Sequence, residues 1–280
     1  MATAAVRLLA LASALLSLSV TASPRIVSAG AGVTDLLVEL GATEQIVGID
    51  VTSHLPNKEV PNVGYHRQLA VEGVLSLSPT LVVGSDEMGP TPVLEKIEAS
   101  GVTVARLSSE PSVETLKTRI KKVASLTHTE SKAAELLTDI DTKIATLKAH
   151  APKTTLKGVF LLVHQGRPAS VAGANTSPDT LLSLMGATNP AATALSSYKP
   201  LSSEALLGFD PDFILVMQRS LDQLGGVEGL ADAVPLLNAT RAFQQQRIIP
   251  IDGSVLVGGL SLKSLDEAIR IQRTVVGEND

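Results

Sequence analysis

The sequence has no cysteine and no tryptophan, and only two tyrosines and four phenylalanines in 280 residues. The lack of cysteine excludes thiolate metal sites, thiol catalysis and disulfides, and it is compatible with an oxidising compartment that does without cross-links. With aromatics at 2%, any core must be built from Leu, Val, Ile and Ala; hydrophobic residues at 44% allow two lobes of ordinary size. The net charge is −5 and no basic stripe stands out, which argues against a nucleic-acid partner. The five histidines are scattered, with no spacing for a metal cluster. Beyond the N-terminal region no apolar run is long enough to span a bilayer.

The N-terminal region has the layout of a secretory signal peptide. Arg7 is its only charge, Leu8 to Val20 form an apolar core, and small residues close it at Ala22. Residues 1–22 are therefore expected to be removed on export, leaving a soluble exported protein. That leaves 22 basic residues against 28 acidic, a net charge of −6.

The rest alternates strand and helix. Arg25–Ala29, Ile46–Ile49, Leu81–Val83 and Val102–Ala105 read as buried strands, and Thr34–Leu40 and Pro92–Ser100 as helices between them. Such alternation predicts a parallel sheet with helices on its faces. Thr127 with Glu130 has the spacing of a capping box, and Glu130 to His150 then runs without Gly or Pro. At 1.5 Å per residue this predicts a rod of about 30 Å, a spine between lobes. After Pro152 the alternation restarts: Leu156–Val163, Phe213–Met217 and Arg247–Ile251 as strands, Pro178–Leu184 and Leu262–Val275 as helices. The expected organisation is an N-terminal α/β lobe over 23–128, a linking helix over 129–152 and a C-terminal α/β lobe over 153–280. An internal repeat supports it. Leu69–Val83 (LAVEGVLSLSPTLVV) aligns without a gap to Leu201–Leu215 (LSSEALLGFDPDFIL), which sets Glu72 against Glu204 and Pro79 against Pro211 at a separation of 132.

The most informative stretch is VGYHRQLAVEGVLSLSP, Val63 to Pro79. One of the two tyrosines, Tyr65, stands two positions before Arg67. A phenolate oxygen is a hard ligand for ferric iron and can hold haem iron, and a neighbouring guanidinium favours the phenolate by charge and hydrogen bonding. These residue types point to an iron(III)-porphyrin site. His66, between them, is expected to face the other way in extended backbone. His164 closes the strand Leu156–Val163, at the carboxyl end where open α/β sheets place ligands, and is a second candidate ligand.

The stretch from Val47 to Pro79, with VGID, VPNVGYHR and VEGVLSLSP, resembles the substrate-binding proteins of bacterial haem ABC importers. More broadly the chain resembles periplasmic binding proteins with a rigid inter-lobe helix, a group that also serves siderophores and cobalamin. The likeness extends to VAGANTSPDTLLSLMGATNP and LSSEALLGFDPD in the second half. It implies two Rossmann-like lobes joined by one long helix, and haem b as the transported ligand. Within that resemblance Tyr65 is an axial iron ligand with Arg67 on its oxygen, and His164 matches a histidine found in some relatives. Glu72 and Glu204 would meet arginines of a dimeric permease. An outer-membrane haem receptor would act upstream, and the carrier would be a monomer. One departure matters: many relatives carry a Gly-x-Arg element near the last helix, whereas this chain has VGGLSLKSLDEA, so Lys263 is the substitute there, a point charge without the planar fork.

Two other functions fit parts of the sequence. The same fold could hold a ferric siderophore or cobalamin, although a siderophore pocket calls for aromatics that are nearly missing. A nucleotide-binding oxidoreductase is suggested by Gly30-x-Gly32 after a strand and Asp50 about 20 residues on, where a ribose-binding acid would stand. Against it, Asp35 occupies the third glycine position, and no nucleophile–base pair stands out, so no catalytic residue is expected.

Overall fold

The computed structural model describes residues 23–277. The expected signal peptide, 1–22, lies outside the described residues, as do residues 278–280. None of the described helices is long and apolar enough to cross a membrane.

The first sheet contains β1 (Ile26–Ala29), β2 (Ile46–Ile49), β3 (Leu81–Ser85) and β4 (Thr103–Leu107), all parallel, in the order β2-β1-β3-β4. Helices α1 (Ala31–Glu39), α2 (Val71–Leu75), α3 (Thr91–Ala99) and α4 (Val113–Thr127) cover it. Every residue of β1 and β3 is buried, as continuous apolar runs demand when both faces are covered. The chain leaves β1 towards β2 on one side and continues to β3 on the other. That reversal opens a crevice beyond the carboxyl ends of these strands.

The spine is α5 (Glu130–Ala149). The second sheet has β5 (Gly158–Leu162), β6 (Ser170–Ala172), β7 (Tyr198–Pro200), β8 (Phe213–Met217) and β9 (Ile248–Ile251), in the order β7-β6-β5-β8-β9. It carries α6 (Ser177–Leu184), α7 (Ser203–Phe209), α8 (Gln218–Leu224), α9 (Val227–Ala233), α10 (Arg241–Gln244) and α11 (Leu262–Val276). β5, β8 and β9 are parallel, but β6 runs antiparallel to β5, and β7 to β6. This mixed edge departs from a purely parallel sheet; strands of three residues are too short to carry a readable period.

The repeat holds down to backbone conformation. Glu72 and Glu204 are each the second residue of their helix, α2 and α7. The residues before the two prolines, Ser78 (φ 47°) and Asp210 (φ 45°), are both left-handed, and both turns lead into central strands, β3 and β8. The capping box does not form. Thr127 is the last residue of α4, its hydroxyl 2.9 Å from the carbonyl of Val123, and Thr129 is the N-cap of α5. α4 itself was not expected.

A second helix shares the spine's task. α11 places Leu262 and Leu265 in the core of the first lobe, and Ala268, Ile271 and Val275 in that of the second. α5 does the same with Leu136 and Ile140 on one side and Leu147 on the other. Gln272, buried on α11, donates to the carbonyls of Leu147 and Met185 at 2.8 and 3.0 Å. Lys143 of α5 lies 2.7 Å from Asp266 of α11.

A clamp reinforces the junction. Arg119 of α4 is buried and donates to the carbonyl of Gly258 at 2.5 Å and to that of Leu260. Burial pulls its pKa below the ordinary guanidinium value, opposed by the Asp86 carboxylate. Gly259 sits between these carbonyls at φ 86°, where a Cβ would come 2.7 Å from the carbonyl oxygen of Ser109, so only glycine fits. Arg119→Met should keep the volume and strand the two carbonyls, costing about 3 kcal/mol. In a thermal melt that is a fall of about 6–12 °C for a protein of this size; an unchanged midpoint would show that the clamp does not hold the lobes.

Candidate functional site

Tyr65 is delivered by a loop sewn to the end of β2. Ile49 N–H donates to Pro61 O at 3.1 Å, Val63 N–H to Ile49 O at 2.9 Å, and Val51 N–H to Gly64 O at 2.9 Å. The side-chain oxygen of Asn62 accepts from Gly64 N–H at 2.8 Å, closing a tight turn in which Gly64 takes φ 92°, a conformation suited to glycine. Tyr65 is then extended, and His66–Gln68 form a 3-10 turn stapled to the loop after β3 by Gly89 N–H to His66 O at 2.9 Å. Tyr65 is 39% exposed and borders a cavity of about 170 Å³ with Gly30, Thr52, Arg67, Glu87 and Val257. This is the crevice that the sheet order opens.

Arg67 lines the same cavity, and its guanidinium Nη2 lies 2.6 Å from the Glu87 carboxylate. That hydrogen bond raises its pKa, with the Glu87 charge and a smaller contribution from Tyr65 acting in the same direction. The family resemblance implies a guanidinium on the phenol oxygen, whereas here its ion-pair partner is Glu87. His66 does not face away in extended backbone as side-chain alternation predicts: it opens the 3-10 turn, and its ring stays 4.5 Å from that of Tyr65. Its ring is buried, and Nδ1 lies 2.8 Å from Oδ2 of Asp50.

Asp50 is 0% exposed. Besides His66 it accepts from Gly30 N–H (3.0 Å), Thr52 Oγ1 (2.7 Å) and Ser53 Oγ (2.5 Å). Burial pushes its carboxyl up, but the hydrogen bonds from Ser53, Thr52, His66 and Gly30 outweigh it and hold the pKa below the ordinary value. An acid so enclosed has no exposed oxygen for a ribose, which removes the basis of the oxidoreductase reading. Ser53 donates to Asp50 and not to His66, so the cluster is not a serine–base pair either.

In the second lobe His164 is exposed at the carboxyl end of β5, over a base fixed by Ser220 Oγ donating to Val163 O at 2.7 Å. It borders two cavities: about 640 Å³ with Arg167, Leu201 and Glu204, and about 540 Å³ with Arg219, Gln223 and Val257. Val257, 61% exposed, also borders the cavity of Tyr65, so one apolar side chain stands between the two candidate ligands. Arg167 and Arg219 are residues that motif patterns alone do not single out. Arg219, however, stands two residues past the end of β8, in the first turn of α8, and the strand-end rule that points to His164 points to it too.

Lys263 is elsewhere. It borders a separate small cavity beside α1 and lies 3.0 Å from Asp35. Glu72 and Glu204 are exposed, one on each lobe. Among the described residues there is no group of His, Asp or Glu that could hold a bare metal ion.

Residues 26–255 match the periplasmic binding protein family. The chain is 49% identical to the periplasmic heme binding protein HutB of Vibrio cholerae, whose crystal structure superposes with a TM-score of 0.86 over 90% of this chain and 98% of that one. A periplasmic heme binding protein from Pseudomonas aeruginosa is 34% identical, with a TM-score of 0.79 over 92% and 94% of the two chains. The vitamin B12-binding protein of Vibrio campbellii is 19% identical over 72% of this chain and 73% of its own length.

Proposed function

Because this chain belongs to the periplasmic binding protein family, we propose that it is a soluble periplasmic carrier that captures haem between its two lobes and hands it to the permease of an ABC importer. The observation that carries this reading is the part-exposed Tyr65, at the switch-point crevice with Arg67 beside it, joined through Val257 to a wide recess around His164 that Arg219 borders. A ferric porphyrin needs one strong axial oxygen, apolar contact for its faces and cations for its carboxylates. Tyr65, Val257, and Arg167 with Arg219 supply these in turn, with His164 as a second ligand and Lys263 held back by Asp35. The recesses, at about 540 and 640 Å³, are within the usual range for ligand pockets of 300–1,000 Å³.

The protein's role is to bind and orient. Tyr65 supplies the ligand atom; Arg67, once released from Glu87, stabilises its negative charge; the two lobes shield the porphyrin from water. Haem of the b type is the cargo, an outer-membrane receptor its source, and a monomer the working unit. Residues 23–128 and 153–277 form the lobes, and 129–152 the spine. Glu72 and Glu204 dock the lobes on a two-fold permease.

Titration with haemin tests this directly. The expected result is a Soret band with the high-spin ferric tyrosinate signature, together with no uptake of cobalamin or a ferric siderophore. Saturable cobalamin binding with no Soret change would replace haem as the ligand. Within the site, Arg67→Ala removes a charge-assisted hydrogen bond worth roughly 1.5–3 kcal/mol, so haemin affinity should fall about tenfold or more. An unchanged affinity by the same titration removes Arg67 from the site.

A further inference from the structure

The buried pair His66–Asp50 takes part in neither docking nor direct contact in the reading above, yet it is the most heavily bonded polar cluster beside the cavity. Asp50 projects from the end of β2 and receives donors from three directions: Gly30 at the β1–α1 turn, Thr52 and Ser53 behind, and His66 from the Tyr65 turn. The chain of hydroxyls runs on from Ser53 to Thr34 at 2.8 Å and to Ser28 at 2.7 Å, which ties the cluster to α1 and β1. A carboxylate only accepts, so the proton in the His66–Asp50 bond sits on Nδ1, and the ring is fixed in tautomer and in plane. That ring lies 4.5 Å from the ring of Tyr65, tilted by 59°, and borders the same cavity.

We propose that His66 is a positioning residue for Tyr65: anchored on Asp50, it sets the direction in which the phenol oxygen meets the iron. The proposal rests on the haem reading above. Backbone bonds at Gly64 and at the His66 carbonyl hold the turn on both sides of the tyrosine, but they leave its side chain free to rotate. The imidazole fills the space behind the phenol, and the sheet holds it there through Asp50. Arg67 and Glu87 border the cavity alongside and have no contact with this cluster among its hydrogen bonds.

Two substitutions separate positioning from mere filling. Asparagine places an amide N–H where Nδ1 stands; glutamine has the same chemistry one bond too far out. Outer-shell partners of a ligand typically contribute 10–100-fold to metal affinity. His66→Asn should therefore keep haemin affinity within about threefold and leave the tyrosinate charge-transfer band in place. His66→Gln and His66→Ala should lose about tenfold or more and shift that band, with thermal melts recorded for each. If alanine does not fold, the Asn–Gln comparison decides alone. Equal behaviour of Asn and Gln, or a loss of affinity that merely follows the loss of melting temperature with the band unmoved, overturns the role. Wild-type protein that shows no tyrosinate band removes the haem reading, and this role with it; a wild-type band that all three variants retain removes the role and leaves the reading standing.

Discussion

Tyr65→Phe is expected to eliminate the ferric tyrosinate spectrum and to weaken haemin binding by more than about 100-fold, since losing the ligand atom must exceed the 10–100-fold cost of losing an outer-shell partner. The protein itself should be almost untouched. Tyr65 is 39% exposed, and removing its oxygen strands no buried group. Its ring remains against His66, and stability should stay within about 0.5 kcal/mol of wild type. Absorption titrations of the two proteins, with melts as the control, give the comparison. If the Soret and charge-transfer bands survive in the phenylalanine variant, the iron is held by another residue, and His164 becomes the first to replace.

The second large effect is expected in transport, with binding preserved. Glu72 and Glu204 stand at matched places of a repeat whose two copies agree even in the left-handed residue before each proline. A pair of exposed carboxylates contributes little to the stability of the carrier. At an interface with a cationic partner the same charges set register and association rate, where steering is worth 10–10³-fold. Replacing both with alanine should cut haem uptake into reconstituted vesicles by roughly tenfold, and the deficit should shrink as salt screens the wild-type advantage. Because Glu204 also borders a cavity of His164, the Glu72→Ala single variant is the cleaner control: its haemin titration should match wild type while uptake slows. Normal transport by the double variant would end this assignment.

Much of this architecture is legible in the residues. Apolar runs such as Leu81–Val83 and Phe213–Met217 find their strands because parallel sheets bury both faces, and Leu262–Val275 finds α11 because its apolar spacing follows the turn of a helix. The edge strands β6 and β7 escape because three residues carry no period. The box at Thr127 fails for a different reason: α4 runs to Thr127 itself, so the residue that looks like a start is a finish. At the site, local chemistry singles out Tyr65, but its supports are non-local. Asp50 and His66 meet across 16 positions. Alternation of side chains predicts that His66 leaves the phenol's side, but the 3-10 turn breaks the alternation and keeps its ring against the phenol, on the carboxylate that receives it. Asp50 shows the opposite hazard. An acid after a strand has the spacing of a ribose partner, and only its full set of donors reveals that it faces inward.

The crossing of both cores by α11 has a consequence for biogenesis. Leu262 and Leu265 complete one interior, Ile271 and Val275 the other. Chains are made from the N-terminus and ordinary domains fold in that order, so the residues that finish both interiors here are made after all the strands. The last long helix thus ties the completion of both interiors to one late-made element.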